Sequence, residues 1–474
     1  MVVGSGPNGL AAAIVLAAAG VRTLLREAAP VAGGGLRSEP LTLPGFTHDV
    51  CSAVHPLAVS SPFFRTLPLE PLGLEWIQPP AALAHPFDDG TAAVLERAMD
   101  ASVTGLGTDH SGWSALHEPF VRRWGSLTDD LLAPPLRIPA HPVLMARFAL
   151  RALRSATAVA GGALAGARAR GLFAGNAAHS FLPLESAGTA AFGLLLGVAG
   201  HAVGWPIVRG GSQRFADALL AHFRALGGEV VTGAPVERIE DVASARILML
   251  DLTPRQVLKL AGHRLPVRYR RALAHYRYGS AAFKVDWALS GPVPWRAQGC
   301  TRAATVHLGG TLEEVAASES AHNHGRVHER PFVLFVQPTL FDPSRAPPGK
   351  HVAWAYCHVP NGWTGDATDL IERQVERFAP GFRELVIGRS ALGPHALEHR
   401  NANLVGGDIS GGMMDLRQVF ARPVARPLPY ATPLRGVYLC SASTPPGGGV
   451  HGMGGFHAAR AALAALSLRP AARP

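Results

Sequence analysis

The sequence predicts an α/β protein in which one parallel-sheet domain is assembled from separated stretches of chain and a second domain fills the gaps. Three observations carry this. The first 38 residues read as strand, glycine turn, helix, strand and second glycine turn. Residues 208–239 give another glycine turn, an amphipathic helix and a strand, and 436–467 give a last strand, a glycine-rich turn and an apolar helix. Between them the character changes: Leu, Ala, Arg and Pro dominate 101–205, and aromatic-rich alternating segments recur in 265–415.

Met1–Val3 is the end of an apolar strand, and Gly4, Gly6 and Gly9 follow as G-x-G-x-x-G with Pro7 and Asn8 inside the turn. Gly4 makes the sharp turn, Gly6 lets the backbone approach a pyrophosphate, and Gly9 lets the helix pack close to the sheet. The helix starts near Asn8, is apolar almost all round and stops at Gly20, so it is expected to be buried with its N–H groups facing phosphates. Val21–Leu25 is the next strand. Glu27 lies 23 residues after Gly4, close to where an acid binds ribose hydroxyls. Gly447, Gly449 and Gly452 match the same pattern but have no such acid downstream, so they read as a loop. The strand ahead of Gly4 is short, which leaves open whether the chain begins further upstream.

Gly33–Ser38 (GGGLRS) come next. Together with the fingerprint and Glu27, they resemble the FAD-binding family of phytoene desaturases, flavin amine oxidases and, most closely, pyridine nucleotide-disulphide oxidoreductase domain 2-like proteins. The resemblance implies FAD as cofactor, with Glu27 on the adenosine ribose and Gly34, Gly35, Arg37 and Ser38 along the rest of it. The stretch 208–239 resembles the family's second segment, in which a valine backbone contacts adenine; that valine is Val236 here. The hairpin many relatives insert after it is missing or shortened, since 245–252 follows at once. GVYLCSASTPPGGGVHGMGGFHAARAA resembles the C-terminal flavin motif. This implies Ala442, Ser443, Gly449, Val450, His451 and Gly452 at the flavin pyrimidine and ribityl chain. The implied architecture is p-hydroxybenzoate-hydroxylase-like. A Rossmann-type FAD-binding domain is built from discontinuous segments 1–100, 206–264 and 419–474, with a helical cap over 101–205 and a mixed-sheet substrate segment over 265–418.

A flavin performs hydride or electron transfer itself, so no nucleophile triad is expected. Lys284, in FKVDW, matches the strand lysine that in flavin amine oxidases reaches flavin N5 through water; a salt-bridged lysine is the plainer alternative. His451 sits in the C-terminal turn, where it could serve as acid, base or donor. His179 and His201 read as satisfied core histidines. Amine oxidases place an aromatic just before the C-terminal helix, where this chain has Gly448, Gly449 and Val450. The PPGGG turn instead resembles desaturases. That implies dehydrogenation of a lipophilic, isoprenoid- or carotenoid-like substrate, with oxygen or a quinone as electron acceptor. A flavin amine or small-molecule oxidase and a non-catalytic flavin-binding module are the alternatives.

At 474 residues the chain holds more than one domain. The net charge of +10 is mostly arginine, lysine occurring only at Lys259, Lys284 and Lys350. The arginines are scattered, so no nucleic-acid partner is expected, while a basic face toward anionic lipid stays open. Cys51, Cys300, Cys357 and Cys440 show no C-x-x-C or metal spacing. They suggest cytoplasmic thiols, no metal, and no disulphide-reductase chemistry. Thr189–Val208 is uncharged over 20 residues, long enough to span a membrane. Its four glycines, histidine and proline favour a buried cap helix or pocket wall, with a membrane-dipping face as the alternative. Helical periodicity appears at 114–131 and 143–170, and LEWIQPP and TAAVLE are expected to pair across Asp88–Gly90.

Overall fold

The computed structural model describes residues 1–466; residues 467–474, which end the expected segment 419–474 and the expected helix 456–467, lie outside the described residues. Two sheets organise the chain. Their strands and the helices around the cavity run, in order, β1 (Val2–Val3), α1 (Pro7–Ala18), β2 (Leu24–Arg26), β3 (Ala81–Pro86), β4 (Ala92–Glu96), α2 (Pro142–Ala152), α3 (Ala190–Ala202), α4 (Gln213–Ala225), β5 (Glu229–Val231), β6 (Leu248–Leu250), β7 (Ala281–Leu289), β8 (Ala303–Leu308), β9 (Val333–Val336), β10 (His351–Val359), β11 (Val386–Leu392), α5 (Leu416–Ala421), β12 (Val437–Leu439) and α6 (Met453–Ala465).

The first sheet has the order β12-β6-β1-β2-β5, and every pair is parallel. Its strands come from three remote parts of the chain. α1 has no polar face to offer water, and Leu10, Ile14 and Leu16 share one core with Phe215 and Leu219 of α4 and Ala458 and Ala462 of α6. Gly455 of α6 lies so close to α1 that a Cβ there would be 1.8 Å from the Asn8 carbonyl.

The second sheet runs β11-β7-β10-β9-β8-β3-β4, antiparallel except for β8 with β3. Alternation sorts β7 onto two faces. Phe283, Val285, Trp287 and Leu289 join a core with Ile371, Val375 and Phe378. Lys284 and Asp286 take the other face, opposite Tyr356 and Trp354 of β10. Residues 81–96, inside the expected first flavin segment, belong to this second sheet.

The hairpin across Asp88–Gly90 pairs Ala81–Pro86 with Ala92–Glu96. LEWIQPP is not its first strand: Trp76–Ile77 pairs with Ile207–Val208 instead. Ala81–Pro86 lies directly before the turn and takes the hairpin position, while the aromatic segment pairs with a remote strand. The periodic stretch 143–170 breaks into three helices, with Ser155 capping the second by accepting from the Ala158 amide. α3 is only 13 residues long, and no described helix is long and apolar enough to cross a membrane. Its glycines seat neighbouring side chains: a Cβ on Gly193, Gly197 or Gly200 would strike Phe173, His117 or Leu95 within 2.6 Å.

Candidate dinucleotide and substrate cavity

One cavity of about 1370 Å³ opens at the carboxyl ends of the parallel strands, where ligands of open α/β sheets bind. Gly4 leaves β1 at φ +95°. A Cβ on Gly9 would stand 2.1 Å from the Gly4 carbonyl oxygen, so turn and helix touch through bare backbone. The second glycine turn packs on the first: a Gly34 Cβ would lie 2.8 Å from Gly6 Cα. Ser5 stitches the two together, its hydroxyl donating to Glu27 at 2.5 Å and accepting from the Gly33 amide at 3.0 Å. Glu27 also accepts from the Ser5 and Ala29 amides at 2.9 and 2.8 Å.

Gly4, Gly6, Pro7, Asn8, Glu27, Gly34, Gly35, Arg37, Val236, Ala442, Ser443, Gly449, Val450 and His451 all face this cavity, although they span most of the chain. Gly9, Ser38, Gly452 and Lys284 are not among its lining residues. Gly9 serves the turn from behind. The Ser38 hydroxyl donates to Asp49 at 2.7 Å and accepts from the Gln213 amide, and the same buried carboxylate holds Arg345 at 2.8 Å. Gly452 begins α6 at φ +69°, where a Cβ would meet the Phe64 ring at 2.4 Å. Arg37 is nearly buried, donating to the carbonyls of Arg400 at 2.7 Å and Gly34 at 3.2 Å.

Lys284 stands one layer behind the wall. Its Nζ is 2.5 Å from both Asp286 carboxylate oxygens and 5.0 Å from the ring centroid of Trp354, which does face the cavity. His451 is buried, and its Nδ1 accepts from the Met453 amide at 3.1 Å, which leaves the ring proton on Nε2. Burial lowers its pKa to about 4, so the ring is neutral near pH 7 and is a donor or weak base rather than an acid. His201 accepts from the Trp113 indole as a core histidine does. His179 bonds to His307 at 3.1 Å yet also faces the cavity.

Asp251 escaped the sequence reading. It follows β6 directly, its Oδ2 accepts from the Gly9 amide at 3.0 Å, and it would lie 2.6 Å from a Cβ on Gly6. Burial raises its pKa to about 7; the Gly9 hydrogen bond works against this, and the nearby Glu27 adds to it. An acid directly after a short apolar strand, RILMLD, was the available signal. The aromatic wall of Trp354 and Tyr356, with centroids 6.1 Å apart, was also missed.

The residues present fit a dinucleotide flavin. Backbone without Cβ atoms forms the turn, and Glu27 has acceptor capacity for hydroxyls. Three buried polar atoms on lining residues, His55 Nδ1, Thr305 Oγ1 and Trp354 Nε1, have no protein partner, and buried polar groups normally have one. Cavities for single small ligands usually measure 300–1,000 Å³, so this one has room for cofactor and substrate together.

A sequence profile of the NAD(P)-binding Rossmann-like domain matches residues 2–67. Pyridine nucleotide-disulfide oxidoreductase domain-containing protein 2 of Rattus norvegicus is 26% identical over 550 aligned positions, which cover 97% of this chain and 92% of that protein. The Mus musculus protein of the same name is also 26% identical. Among solved structures, an oxidoreductase from Methanosarcina mazei superposes with TM-score 0.63 at 16% identity, covering 98% of this chain and 99% of that one. Putrescine oxidase bound to putrescine gives 0.62 at 17% identity, covering 98% of each chain. The chain shares the dinucleotide-binding Rossmann-like fold of these oxidoreductases. All four cysteines of this chain are free thiols, so the word "disulfide" in its relatives' names has no cysteine pair behind it here.

Proposed function

We propose that this oxidoreductase dehydrogenates a lipophilic substrate of isoprenoid or carotenoid character and passes the electrons to oxygen or a quinone, working in the cytoplasm with peripheral contact at a membrane. One observation carries the substrate class. The carboxylates on the cavity wall are Glu27, Glu237 and Asp251, all at the dinucleotide end, while Phe148, Phe192, Leu195, Leu416 and Val419 form the other end. A cationic amine would find no carboxylate there, whereas a hydrocarbon would replace water on apolar surface. FAD, when bound, supplies the hydride-accepting ring. The protein's residues orient and dry the substrate: Phe192 and Leu195 exclude water, and the orphaned Trp354 Nε1–H is a donor for ring or substrate oxygens, while the His451 ring is held by the Gly447 and Gly448 carbonyls. The Trp354–Tyr356 pair favours a second reading, a small-amine oxidase, because aromatic faces attract cations.

The test is anaerobic mixing of FAD-loaded protein with an isoprenoid hydrocarbon in detergent or with putrescine. Loss of the yellow absorbance with the hydrocarbon and not the amine is expected; the reverse would move the assignment to amine oxidation.

Lys284 is proposed to act through its charge behind Trp354. Lys284→Met alone leaves the buried Asp286 with only His48 Nδ1, 3.4 Å away, as a charge partner and is expected to cost about 3 kcal/mol. Lys284→Met with Asp286→Leu should recover most of that stability in thermal unfolding. If the folded double variant reoxidises reduced flavin at the wild-type rate, Lys284 is only structural.

A further inference from the structure

From residue 131 through 184 the chain contains no aspartate or glutamate and six arginines: Arg137, Arg147, Arg151, Arg154, Arg168 and Arg170. The same stretch holds five of the eleven exposed large apolar side chains among the described residues: Leu136, Ile138, Val143, Leu150 and Leu153. Ile138 is 89% exposed and Leu150 is 75% exposed; single exposed apolar side chains are ordinary, but a cluster of them is not.

α2 explains the arrangement. Leu144, Phe148 and Ala152, at four-residue spacing, are buried, and Phe148 reaches the cavity. Val143, Arg147 and Leu150 follow the opposite side of the helix outward, with Leu153 and Arg154 just beyond it. A helix at a water-facing surface carries polar groups there; this one carries aliphatic groups and arginines. Among the described residues Arg147, Arg151 and Arg154 enter no salt bridge, whereas Arg137 pairs with Asp130 at 2.9 Å. α5 repeats the pattern: Leu416 and Val419 wall the cavity while Phe420 is exposed. The two helices meet through Gly188, whose amide donates to the Leu153 carbonyl at 3.1 Å and whose Cβ position would be 2.8 Å from the Leu416 side chain. Phe420 and Leu136 also border one small surface cleft.

We propose that the outer face of α2, the loop 136–138 and Phe420 form a docking face for an anionic lipid bilayer, which delivers substrate to the apolar end of the cavity. The delivery clause rests on the lipophilic-substrate reading; the docking itself does not. Aliphatic side chains flanked by arginines, with no acid between, match a headgroup region in which apolar groups insert and guanidinium groups stay at the phosphates. A second copy is a poorer occupant, because a two-fold interface through this face would set the arginines against each other.

Sedimentation with vesicles tests this. FAD-loaded protein is mixed with vesicles of phosphatidylcholine alone or with phosphatidylglycerol added. The two unpaired arginines of this face, Arg147 and Arg154, at roughly fivefold each near an anionic surface, predict at least tenfold tighter binding to the anionic vesicles, lost at high salt. Val143→Asp with Leu150→Asp should lower binding to both at least tenfold, and Arg147→Glu with Arg154→Glu should erase the preference; retained yellow absorbance reports that each variant is folded. Equal wild-type binding to both vesicle types, no binding to either, or a wild-type dimer in sedimentation velocity that Leu150→Asp converts to monomer would each overturn the docking face. Docking without bleaching by an isoprenoid hydrocarbon would sink the substrate reading alone, and bleaching without docking the reverse.

Discussion

Gly9→Ala is expected to yield protein that retains no flavin. The new Cβ would lie 2.1 Å from the Gly4 carbonyl oxygen and 2.9 Å from Asp251 Oδ2. The first is backbone held by its own sheet: the Gly4 amide donates to the Arg26 carbonyl at 2.8 Å. Relief therefore requires α1 to move away from the sheet, which disturbs the turn that cradles the diphosphate. Overpacking of this kind costs about 1–3 kcal/mol where side chains can shift, and more is expected where backbone meets backbone. Gly20→Ala is the control. Gly20 has φ +78° with nothing within 4 Å of its Cβ position, so only conformational strain of roughly 1–2 kcal/mol is expected, with flavin retained. The measurement is flavin absorbance per protein after gel filtration, with thermal unfolding alongside. A yellow Gly9→Ala protein of normal stability would contradict the turn as described.

Asp251→Asn is expected to stabilise the protein above neutrality and to tighten FAD binding there. The carboxyl titrates near pH 7 in the folded chain against an ordinary value of 3.8, because burial disfavours its charge and Glu27 adds repulsion. Folding therefore holds a proton that the unfolded chain releases. The associated stability is complete below about pH 4, falls as pH rises from about 4 to about 7, and is flat beyond. Three pH units correspond to about 4 kcal/mol as an upper bound. The asparagine, isosteric and uncharged, keeps an acceptor for the Gly9 amide and lacks this slope. A diphosphate at the same helix N-terminus would raise the Asp251 pKa further, so FAD affinity should fall with alkaline pH in wild type and much less in the variant. Parallel pH profiles of apoprotein melting and of FAD titration for the two proteins would refute the assignment.

How much of the site could be read from the chain depends on how local each signal was. The strand, glycine turn, helix and Glu27 lie within one continuous stretch, and each glycine there meets backbone that only a residue without a side chain can approach. Lys284 was visible in FKVDW, but its pairing with Asp286 depends on β7 turning both onto the face opposite Tyr356 and Trp354. Ser38 looked like cofactor lining because it follows the second glycine turn; the structure gives its hydroxyl to Asp49, part of a buried network with Arg345 far along the chain.

The dinucleotide turn at Gly4–Gly9, the later segments that join its parallel sheet and the presence of a separate mixed sheet were legible in the chain, because glycine spacing and hydrophobic period are short-range properties. That Asp251 plugs the turn, that the carboxylates gather at one end of the cavity, and that the aliphatic side of α2 faces out emerged only from the packed chain. Burial, and with it the cost of a charge or the unmet affinity of a hydrocarbon surface, exists only once remote segments have packed together.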